Sequence, residues 1–382
     1  MKKLSGILVV LALLIVCAVL LPTRAQAASE SDLTFTFDGK SYSVSDCNSS
    51  ASGELVIPAT YNGKPVTSIG SSAFRDCTSL TSITIPDSVT SIGSSAFYDC
   101  DSLTSVTIPD GVTIIYWDAF EGCTGLTSIT IPDGVTSIYW DAFRGCTSLT
   151  SITIPDSVTS IGNSVFYGCT GLTSITIPDS VTSIDYSAFE GCIGLTSITI
   201  PDSVTSIGER AFYRCSSLTN ITIGNGVTTI GKSAFSSCSK LKDVYITDPG
   251  AWCKITFYGS SSNPMDYADE LHILDADGNE VTELVLDNTV TYLPGSSFKN
   301  CVDLTSVTIP DSVTGIGEGA FSGCSKLESI TIPFVGGSKK SASNFNQYPF
   351  GYIFGTSSYT GGVATKQYFY YGDNLTSLSY FT

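Results

Sequence analysis

The chain of 382 residues is poor in charged side chains, and most of those it has are acidic. Charged residues make up 14% of the sequence, whereas about a quarter is usual. Lysine and arginine together number 18, against 35 aspartates and glutamates, so the formal net charge is −17. An acidic surface repels phosphates, and we therefore predict that neither nucleic acid nor anionic lipid is a partner.

Histidine is almost absent, since His272 is the single one in the sequence. One histidine excludes most acid–base triads, and it leaves no histidine pair for a zinc site of the usual kind. The patterns G-x-S-x-G and H-E-x-x-H and a phosphate-binding loop are also missing. We therefore predict that the chain is not an enzyme, uses no cofactor and has no metal ligands.

Long apolar runs are missing except for one, at residues 7–21. This run follows Lys2 and Lys3 and precedes the small-x-small sequence Ala25-Gln26-Ala27, which is the pattern of a cleaved secretion signal. It is also short for a membrane-spanning helix, which needs about 20 apolar residues. We predict a signal peptide over residues 1–27, cleaved near Ala27, and a mature chain that is secreted or on the cell surface without membrane insertion.

What the sequence has in abundance is repetition, with a period of 23 residues. The segment LTSITIPDSVTSIGSSAFYDC begins at Leu80, and similar segments begin at Leu103 and at Leu126. A unit this short cannot bury its own apolar residues, so consecutive units must stack into one continuous core. A phenylalanine keeps its place in every copy: Phe74, Phe97, Phe120, Phe143, Phe166, Phe189, Phe212, Phe235, Phe298 and Phe321.

Each unit predicts two short strands and a compact third segment. Residues 80–85 are rich in β-branched side chains and alternate with hydroxyl residues, which is typical of a strand. Pro86-Asp87-Ser88 predicts a turn, and residues 89–92 predict a second strand. Residues 94–100 are long enough only for a helical turn.

The pattern L-x-x-I-x-I-P-x-x-V-x-x-I-G-x-x-A-F-x-x-C resembles the bacterial BspA-like leucine-rich repeat. The resemblance runs from residue 54 to about residue 333, apart from one break. It implies a β-rich (α+β) right-handed solenoid with short strands and helical turns. It also implies a secreted or surface protein used for adhesion and protein contacts, with no catalytic residues and no cofactor.

The changes in pattern along the chain predict six segments. A hairpin around Asp38-Gly39 suits the start of the array, and a degenerate coil followed by a hairpin around Asp277-Gly278 interrupts it. The predicted segments are a signal peptide (1–27), an N-terminal β cap (28–53), leucine-rich repeats (54–247), an irregular insert (248–283), further repeats (284–333) and a C-terminal insert or cap (334–382).

Cysteine also recurs in register, and twelve cysteines follow the predicted signal peptide. An even number in a secreted chain suggests disulfides. However, equivalent positions in stacked coils point the same way, whereas a disulfide needs Cβ atoms that converge. We therefore predict a ladder of buried free thiols.

Aspartate follows the proline in most copies, as in Asp87, Asp110 and Asp133. A file of carboxylates about 5 Å apart is a candidate Ca²⁺ site. Because Pro-Asp-Ser and Pro-Asp-Gly are ordinary turn sequences, turn formation is the favoured interpretation. The sequence Asp275-Ala276-Asp277-Gly278 resembles a calcium loop but lacks its twelfth-position acid, which favours a hairpin turn.

Aromatic residues replace the usual glycine and polar residue in a few copies. Copies agree where packing dictates the residue, so a variable position is expected at the surface. An exposed aromatic cluster marks a binding site for protein or sugar, although such rings could also merely cover the edge of a coil. The predicted ligand-binding residues are Tyr116, Trp117, Tyr139, Trp140 and Tyr186. Variable residues after the phenylalanines would tune the same face: Tyr98, Glu121, Arg144, Tyr167, Glu190 and Tyr213.

These patterns predict a non-catalytic secreted or surface leucine-rich repeat protein that mediates adhesion or protein–protein interaction. The expected partner is a protein or glycan on a host or neighbouring cell surface, and the chain is expected to be a monomer. The alternative is a carbohydrate-binding module built on the tyrosine and tryptophan patch. A regular threonine file, from Thr84 to Thr199, would also suit ice binding, but the break in the array argues against it.

Overall fold

The computed structural model describes residues 27–259, 261–333, 353–354, 364–371 and 374–381. Across these residues the chain winds into a β-solenoid of about 13 turns with almost no helix. Almost all of the predicted signal peptide, and most of the segment after residue 333, lie outside the described residues. The six segment boundaries therefore remain predictions.

The N-terminal segment is a hairpin that joins the solenoid. After a 3-10 turn at Glu30–Asp32, strand β1 (Leu33–Phe37) pairs antiparallel with β2 (Tyr42–Cys47). Strand β2 then pairs in parallel with β5 (Lys64–Ile69), which also carries the short antiparallel strand β4 (Thr60–Tyr61). The strands lie where the sequence placed them, whereas their role as a cap stays a prediction.

One side of the solenoid, the first sheet wall, is built from the strands around the apolar residue three places after the repeat leucine, such as Ile83 and Val106. They pair in parallel and in register, so that Ser82 lies beside Ser105 and Ile83 beside Val106. The strands are β3 (Gly53–Val56), β6 (Leu80–Thr84), β8 (Ser105–Thr107), β10 (Ser128–Thr130), β14 (Ser197–Thr199), β16 (Asn220–Thr222), β18 (Asp243–Ile246), β20 (Glu270–Ile273), β21 (Glu283–Val285), β23 (Ser306–Thr308) and β25 (Ser329–Thr331).

The second sheet wall is built from two-residue strands that follow the Pro-Asp turn, together with the longer β5. Their parallel pairing again matches equivalent residues of successive coils, as in Ser160 with Ser183 and Ile161 with Ile184. The remaining strands of this wall are β7 (Ser91–Ile92), β9 (Ile114–Ile115), β11 (Ser137–Ile138), β12 (Ser160–Ile161), β13 (Ser183–Ile184), β15 (Ser206–Ile207), β17 (Thr229–Ile230), β19 (Thr256–Phe257), β22 (Tyr292–Leu293) and β24 (Gly315–Ile316).

The third side, which we call the turn wall, contains the Ala-Phe pair and the cysteine of each coil. The helical turn predicted here is not confirmed, because the segment is a run of tight turns. Two residues per coil lie in the left-handed region, such as Ser95 (φ 54°) and Asp99 (φ 54°). Their N–H groups therefore point along the solenoid axis: Ser95 donates to the carbonyl of Trp117 and Asp99 to that of Glu121, both at 2.8 Å.

The core beneath the turn wall is a continuous stack of phenylalanine rings. Eight rings from Phe74 to Phe235 lie face to face, with centroids 5.1–5.8 Å apart and planes within 2–16°. All eight are fully buried. Such spacing suits stacked aromatic pairs, and it matches the rise of about 4.8 Å between paired strands.

The cysteine column is buried beside this stack, and all twelve described cysteines are free. The predicted thiol ladder is therefore confirmed. The thiols are more than apolar filler, because the Sγ of Cys169 donates to the carbonyl of Phe143 in the preceding coil at 3.1 Å, and seven other coils repeat this contact at 3.0–3.2 Å. Burial raises the pKa of the Cys169 thiol to about 12.

The irregular segment belongs to the solenoid but ends its sheets. Strand β20 continues the first sheet wall and β19 the second, after which new sheets begin with β21 and β22. In place of a turn wall this coil has helix α1 (Pro249–Cys253) and a 3-10 turn at Pro264–Asp266. Trp252 on α1 is buried and its Nε1 donates to the carbonyl of Ser297 at 2.6 Å, which links this coil to the next.

After residue 333 the described residues are few. Ile353 and Phe354 are buried, and the carbonyl of Ile353 accepts a hydrogen bond from the N–H of Phe321 at 3.0 Å. In the regular coils, the N–H of the equivalent phenylalanine donates to a carbonyl of the next coil. Ile353 therefore takes the place of the next coil beside Phe321. Beyond it, strands β26 (Ala364–Tyr371) and β27 (Asn374–Phe381) form an antiparallel hairpin.

Candidate binding surface on the turn wall

The predicted aromatic residues lie where the second sheet wall passes into the turn wall. Tyr116 and Trp117 follow β9, and Tyr139 and Trp140 follow β11 one coil later. Trp117 is 49% exposed, Trp140 54% and Tyr139 36%, while Tyr116 is half-buried. Exposed apolar side chains that lie together in one patch mark interaction sites, whereas single ones are common on protein surfaces.

Four of the five predicted rings form one cluster, which we call the aromatic patch (Tyr116, Trp117, Tyr139 and Trp140). The centroid of Trp117 lies 6.4 Å from that of Trp140 and 5.9 Å from that of Tyr139. Tyr116 and Tyr139 are also 5.9 Å apart. Neighbouring planes are tilted by 33–53°, so the rings form an uneven apolar surface rather than a flat platform.

The fifth residue, Tyr186, stands apart from the patch. It is 45% exposed and occupies the column of Trp117 and Trp140, but Asn163 of the intervening coil separates it from them. The backbone N–H of Tyr186 donates to the Asn163 side chain at 3.2 Å. No ring contact joins Tyr186 to the patch within the described part of the chain.

The tyrosine position of the patch is sterically tight in other coils. A Cβ placed on Gly93, Gly208 or Gly231 would come within 2.4–2.5 Å of backbone atoms in the preceding coil. The side chains of Tyr116 and Tyr139 occupy this position, so the backbone of their coils must differ locally from that of the glycine coils.

A charged rim borders the patch on the turn wall. The guanidinium of Arg144 lies 3.3 Å from Asp141 and 3.6 Å from Glu121, and Asp118 accepts from the hydroxyl of Ser95 at 3.4 Å. Burial raises the pKa of Glu121, Arg144 opposes this rise, and the carboxylates of Asp118 and Asp141 add to it, so that the pKa is about 7. The rim is thus acidic and contains a carboxyl group that titrates near neutral pH.

Comparison with known proteins identifies the repeat. Residues 48–173, 141–263 and 277–360 match the BspA type leucine-rich repeat region, with six copies. The chain belongs to the BspA-type leucine-rich repeat family. The resemblance seen in the sequence is therefore confirmed. A search of the curated proteins finds no match.

Solved structures of bacterial leucine-rich repeat proteins resemble this BspA-type chain. A leucine-rich repeat protein from Bacteroides ovatus is 27% identical, with a TM-score of 0.53 over 79% of this chain and 88% of that one. A leucine-rich cell surface protein from Faecalibacterium prausnitzii is 30% identical, with a TM-score of 0.47 over 87% of this chain and 99% of that one. None of the helices in the described residues is long and apolar enough to cross a membrane.

The variable residues after the phenylalanines form a second feature of the BspA-type turn wall. Their order is Arg75, Tyr98, Glu121, Arg144, Tyr167, Glu190 and Tyr213, and stacking places each beside the next. The guanidinium carbon of Arg75 lies 4.3 Å from the ring centroid of Tyr98, and that of Arg144 lies 4.8 Å from the ring centroid of Tyr167. Contacts of this kind stabilise by about 0.5–1 kcal/mol at exposed sites.

This column also contains a buried carboxylate, Glu190, although the variation between copies predicted a surface position for it. Glu190 is 4% exposed and accepts from the hydroxyl of Ser187 and from Nη2 of Arg210, both at 2.7 Å. Arg210 also lies over the ring of Tyr213 at 4.5 Å. The signal available in the sequence was the repeated order arginine, tyrosine, glutamate along one column, which implies alternating charges in stacked coils.

The remaining sequence candidates lie away from this surface. Within the described residues, no group with metal-binding geometry includes the Pro-Asp column, and Asp110 and Asp133 are exposed. Asp275 accepts from the N–H groups of Asp277 and Asn279 at 2.9 Å each, so the predicted hairpin turn is confirmed. The threonine file is exposed on the first sheet wall, with Thr107 beside Thr130.

Proposed function

We propose that this chain is a non-catalytic, secreted or surface-located leucine-rich repeat protein that mediates adhesion or protein–protein interaction. Membership of the BspA-type family supports this role, because leucine-rich repeat proteins generally bind proteins. The similar protein from F. prausnitzii is described as a cell surface protein, which supports the proposed location. The predicted signal peptide over residues 1–27 provides the export route.

The aromatic patch carries this proposal. Exposed tryptophan and tyrosine side chains are the residues most enriched among those that dominate binding energy at protein interfaces. Here two tryptophans in neighbouring coils meet at 6.4 Å and are about half exposed. The acidic rim of Asp118, Glu121 and Asp141 favours a partner surface with an apolar pocket bordered by basic residues.

The alternative partner is a glycan, since sugar rings stack on exposed aromatic faces. The tilt of 33–53° between neighbouring rings favours the protein partner, because these rings would enter a pocket more readily than they would support a flat sugar face. Tyr186 lies two coils away and would contact only a ligand that spans the intervening coil.

The test uses beads coated with the chain from residue 28 onward, and measures their retention on host epithelial monolayers. We expect retention that is lost after protease treatment of the monolayer and persists after glycosidase treatment. The double variant Trp117→Ala/Trp140→Ala should bind at least about 30-fold more weakly, because truncating interface residues of this kind costs about 2 kcal/mol or more. Tyr292→Ala, which removes a 53% exposed ring away from the patch, is the matched control.

Unchanged retention of the double variant would exclude the aromatic patch as the binding site. Retention that is sensitive to glycosidase, together with glycan-array binding that the double variant loses, would favour the carbohydrate-binding alternative instead.

A further inference from the structure

The single histidine of the chain lies among carboxylates on the first sheet wall. His272 and Glu270 are two residues apart on β20, so their side chains project to the same face of the sheet. Parallel pairing sets Glu270 beside Asp243 and His272 beside Tyr245 on β18. The side chain of His272 is only 15% exposed, and those of Asp243 and Glu270 are 30% and 43% exposed.

The pairing of Asp243 with Glu270 is unfavourable by itself. Like charges directly opposite each other on neighbouring strands destabilise a sheet. The Nζ of Lys326 is paired with Asp303 at 2.6 Å, and this pairing, with a smaller contribution from Glu270, raises the pKa of Lys326. A further positive charge beside the two carboxylates would offset this repulsion.

Two contacts fix the orientation of the His272 ring. Its Nδ1 lies 2.7 Å from Oε1 of Glu280, which the hairpin turn after β20 brings back beside the strand. Because an ionised carboxylate only accepts, Nδ1 carries the proton and Nε2 of the neutral ring is left as a lone-pair donor. The ring of Tyr245 stacks on the His272 imidazole, with the ring centroids 4.7 Å apart and the planes at 18°.

The free Nε2 faces the two carboxylates at distances that suit a shared metal ion. It lies 3.4 Å from Oδ1 of Asp243 and 3.8 Å from Oε2 of Glu270, and the three ligand atoms all lie within 4.8 Å of one another. Ligands about 2.1 Å from a tetrahedral zinc are roughly 3.4 Å apart. These separations are longer than good hydrogen bonds, which peak near 2.9 Å.

We propose that Asp243, Glu270 and Nε2 of His272 bind one divalent transition-metal ion of the zinc type, with water completing the coordination. Imidazole nitrogen favours zinc and its neighbours over Ca²⁺ and Mg²⁺, which prefer oxygen ligands alone. Glu280 then acts as the partner that orients the liganding histidine, as carboxylates commonly do at zinc sites.

A second grouping of His272, Glu280 and Asp303 also has metal-ligating side chains. Its Nδ1–Glu280 separation of 2.7 Å is a hydrogen-bond distance and is too short for two ligands of one tetrahedral ion. Asp303 is in addition already paired with Lys326. The geometry therefore favours the Nε2 side of the ring.

No sequence pattern pointed to this arrangement, since zinc patterns usually have paired cysteines or histidines at short spacing. Here the ligands come from two coils, and Glu280 comes from the turn that follows. Register between β18 and β20 brings them together, and that register spans the irregular coil, where the 23-residue period is lost.

The test is calorimetric titration of ZnCl₂ into the chain from residue 28 onward, after chelator treatment. We expect one saturable site, a rise in the thermal unfolding midpoint on binding, and no comparable binding of CaCl₂. Co²⁺ substitution should give the visible absorption of a tetrahedral site without a thiolate charge-transfer band, which separates this site from the buried cysteines.

Variants assign the ligands. His272→Gln and Asp243→Asn should each abolish saturable binding, and Glu280→Gln should weaken it by about 10–100-fold, as loss of an orienting partner usually does. Asp303→Asn is the matched control and should bind as the unaltered chain does. Circular dichroism melts in chelator confirm that each variant is folded.

A protein that shows no saturable zinc binding would overturn the proposal. Loss of binding in Asp303→Asn with normal binding in Asp243→Asn would equally overturn the assignment. Neither result would bear on the aromatic patch, because the two surfaces share no residue.

Discussion

Two files of aromatic rings run along this molecule, one inside and one outside. The inner file is the phenylalanine stack, whose rings are fully buried and lie within 16° of parallel in eight successive coils. The outer file is the aromatic patch, which spans two coils and whose rings are tilted and about half exposed. The inner rings recur in every regular coil, whereas the outer rings replace residues that differ from coil to coil.

The comparison separates the two demands on a repeat protein. Inside, each ring must fit between identical neighbours, so a change in one coil is felt by the coils on both sides. Outside, a coil can change its side chains while the backbone ladder continues. Repetition therefore indicates packing, and departures from repetition on the surface indicate where binding energy is available.

The largest expected effect is on the inner file. Phe143→Ala removes a ring that stacks at 5.6 Å on Phe120 and 5.8 Å on Phe166, and should lower the free energy of unfolding by about 3–5 kcal/mol. Trp140→Ala, three residues away but on the outer face, should change it by about 0.5 kcal/mol or less. Urea denaturation followed by circular dichroism measures both free energies of unfolding. Equal losses of stability in the two variants would contradict the distinction between the inner and the outer file.

A smaller effect, dependent on pH, is expected at the rim of the outer file. Since the pKa of Glu121 is raised from 4.5 to about 7, the folded state favours its neutral form. The stability that it contributes is present below about pH 4.5 and is lost as the pH rises through about 7, an effect of about 1–2 kcal/mol after allowance for solvent screening. Glu121→Gln should remove this part of the pH dependence.

Denaturation midpoints of both proteins across that pH range measure the difference. Glu283→Gln, an exposed change on β21, serves as the control and should leave the profile unaltered. If the denaturation midpoint of Glu121→Gln changed with pH in the same way as that of the unaltered chain, Glu121 would not be the source of this pH dependence.

The smallest expected effect on stability is that of a buried hydroxyl group within the core. Ser297 takes the place that alanine holds in Ala96, Ala119 and most other coils, and its buried hydroxyl has no hydrogen-bond partner among the described residues. Ser297→Ala should therefore raise the free energy of unfolding by about 1 kcal/mol. The reverse change in the next coil, Ala320→Ser, should lower it by a similar amount. A loss of stability in Ser297→Ala would show that this departure is not a packing defect.

The repeat, its two strands and its buried columns could be predicted from the sequence because they follow from periodicity. Ile83, Phe97 and Cys100 recur at fixed spacing, and only a stacked coil buries all of them together. The exposure of Trp117 and Trp140 followed from the same logic, since they fall where the copies disagree.

The turn wall and the His272 cluster could not be predicted in this way. Ser95 and Asp99 adopt left-handed backbone conformations that non-glycine residues seldom take, and local propensity therefore favoured a helical turn. The ladder of hydrogen bonds to the next coil overrides that preference. His272 meets Asp243 through strand register across a coil without the regular period, so residue spacing could not predict the contact.

The turn wall also gives the molecule a direction. In coil after coil the backbone N–H groups of Phe97, Phe120 and their equivalents donate towards the following coil, so the turn wall of each unit presents backbone donors on one side and acceptors on the other. Any regular unit can therefore follow any other without a new kind of junction. Gain or loss of whole 23-residue repeats would therefore change the length of the solenoid and leave the pattern of turn-wall hydrogen bonds between coils unchanged.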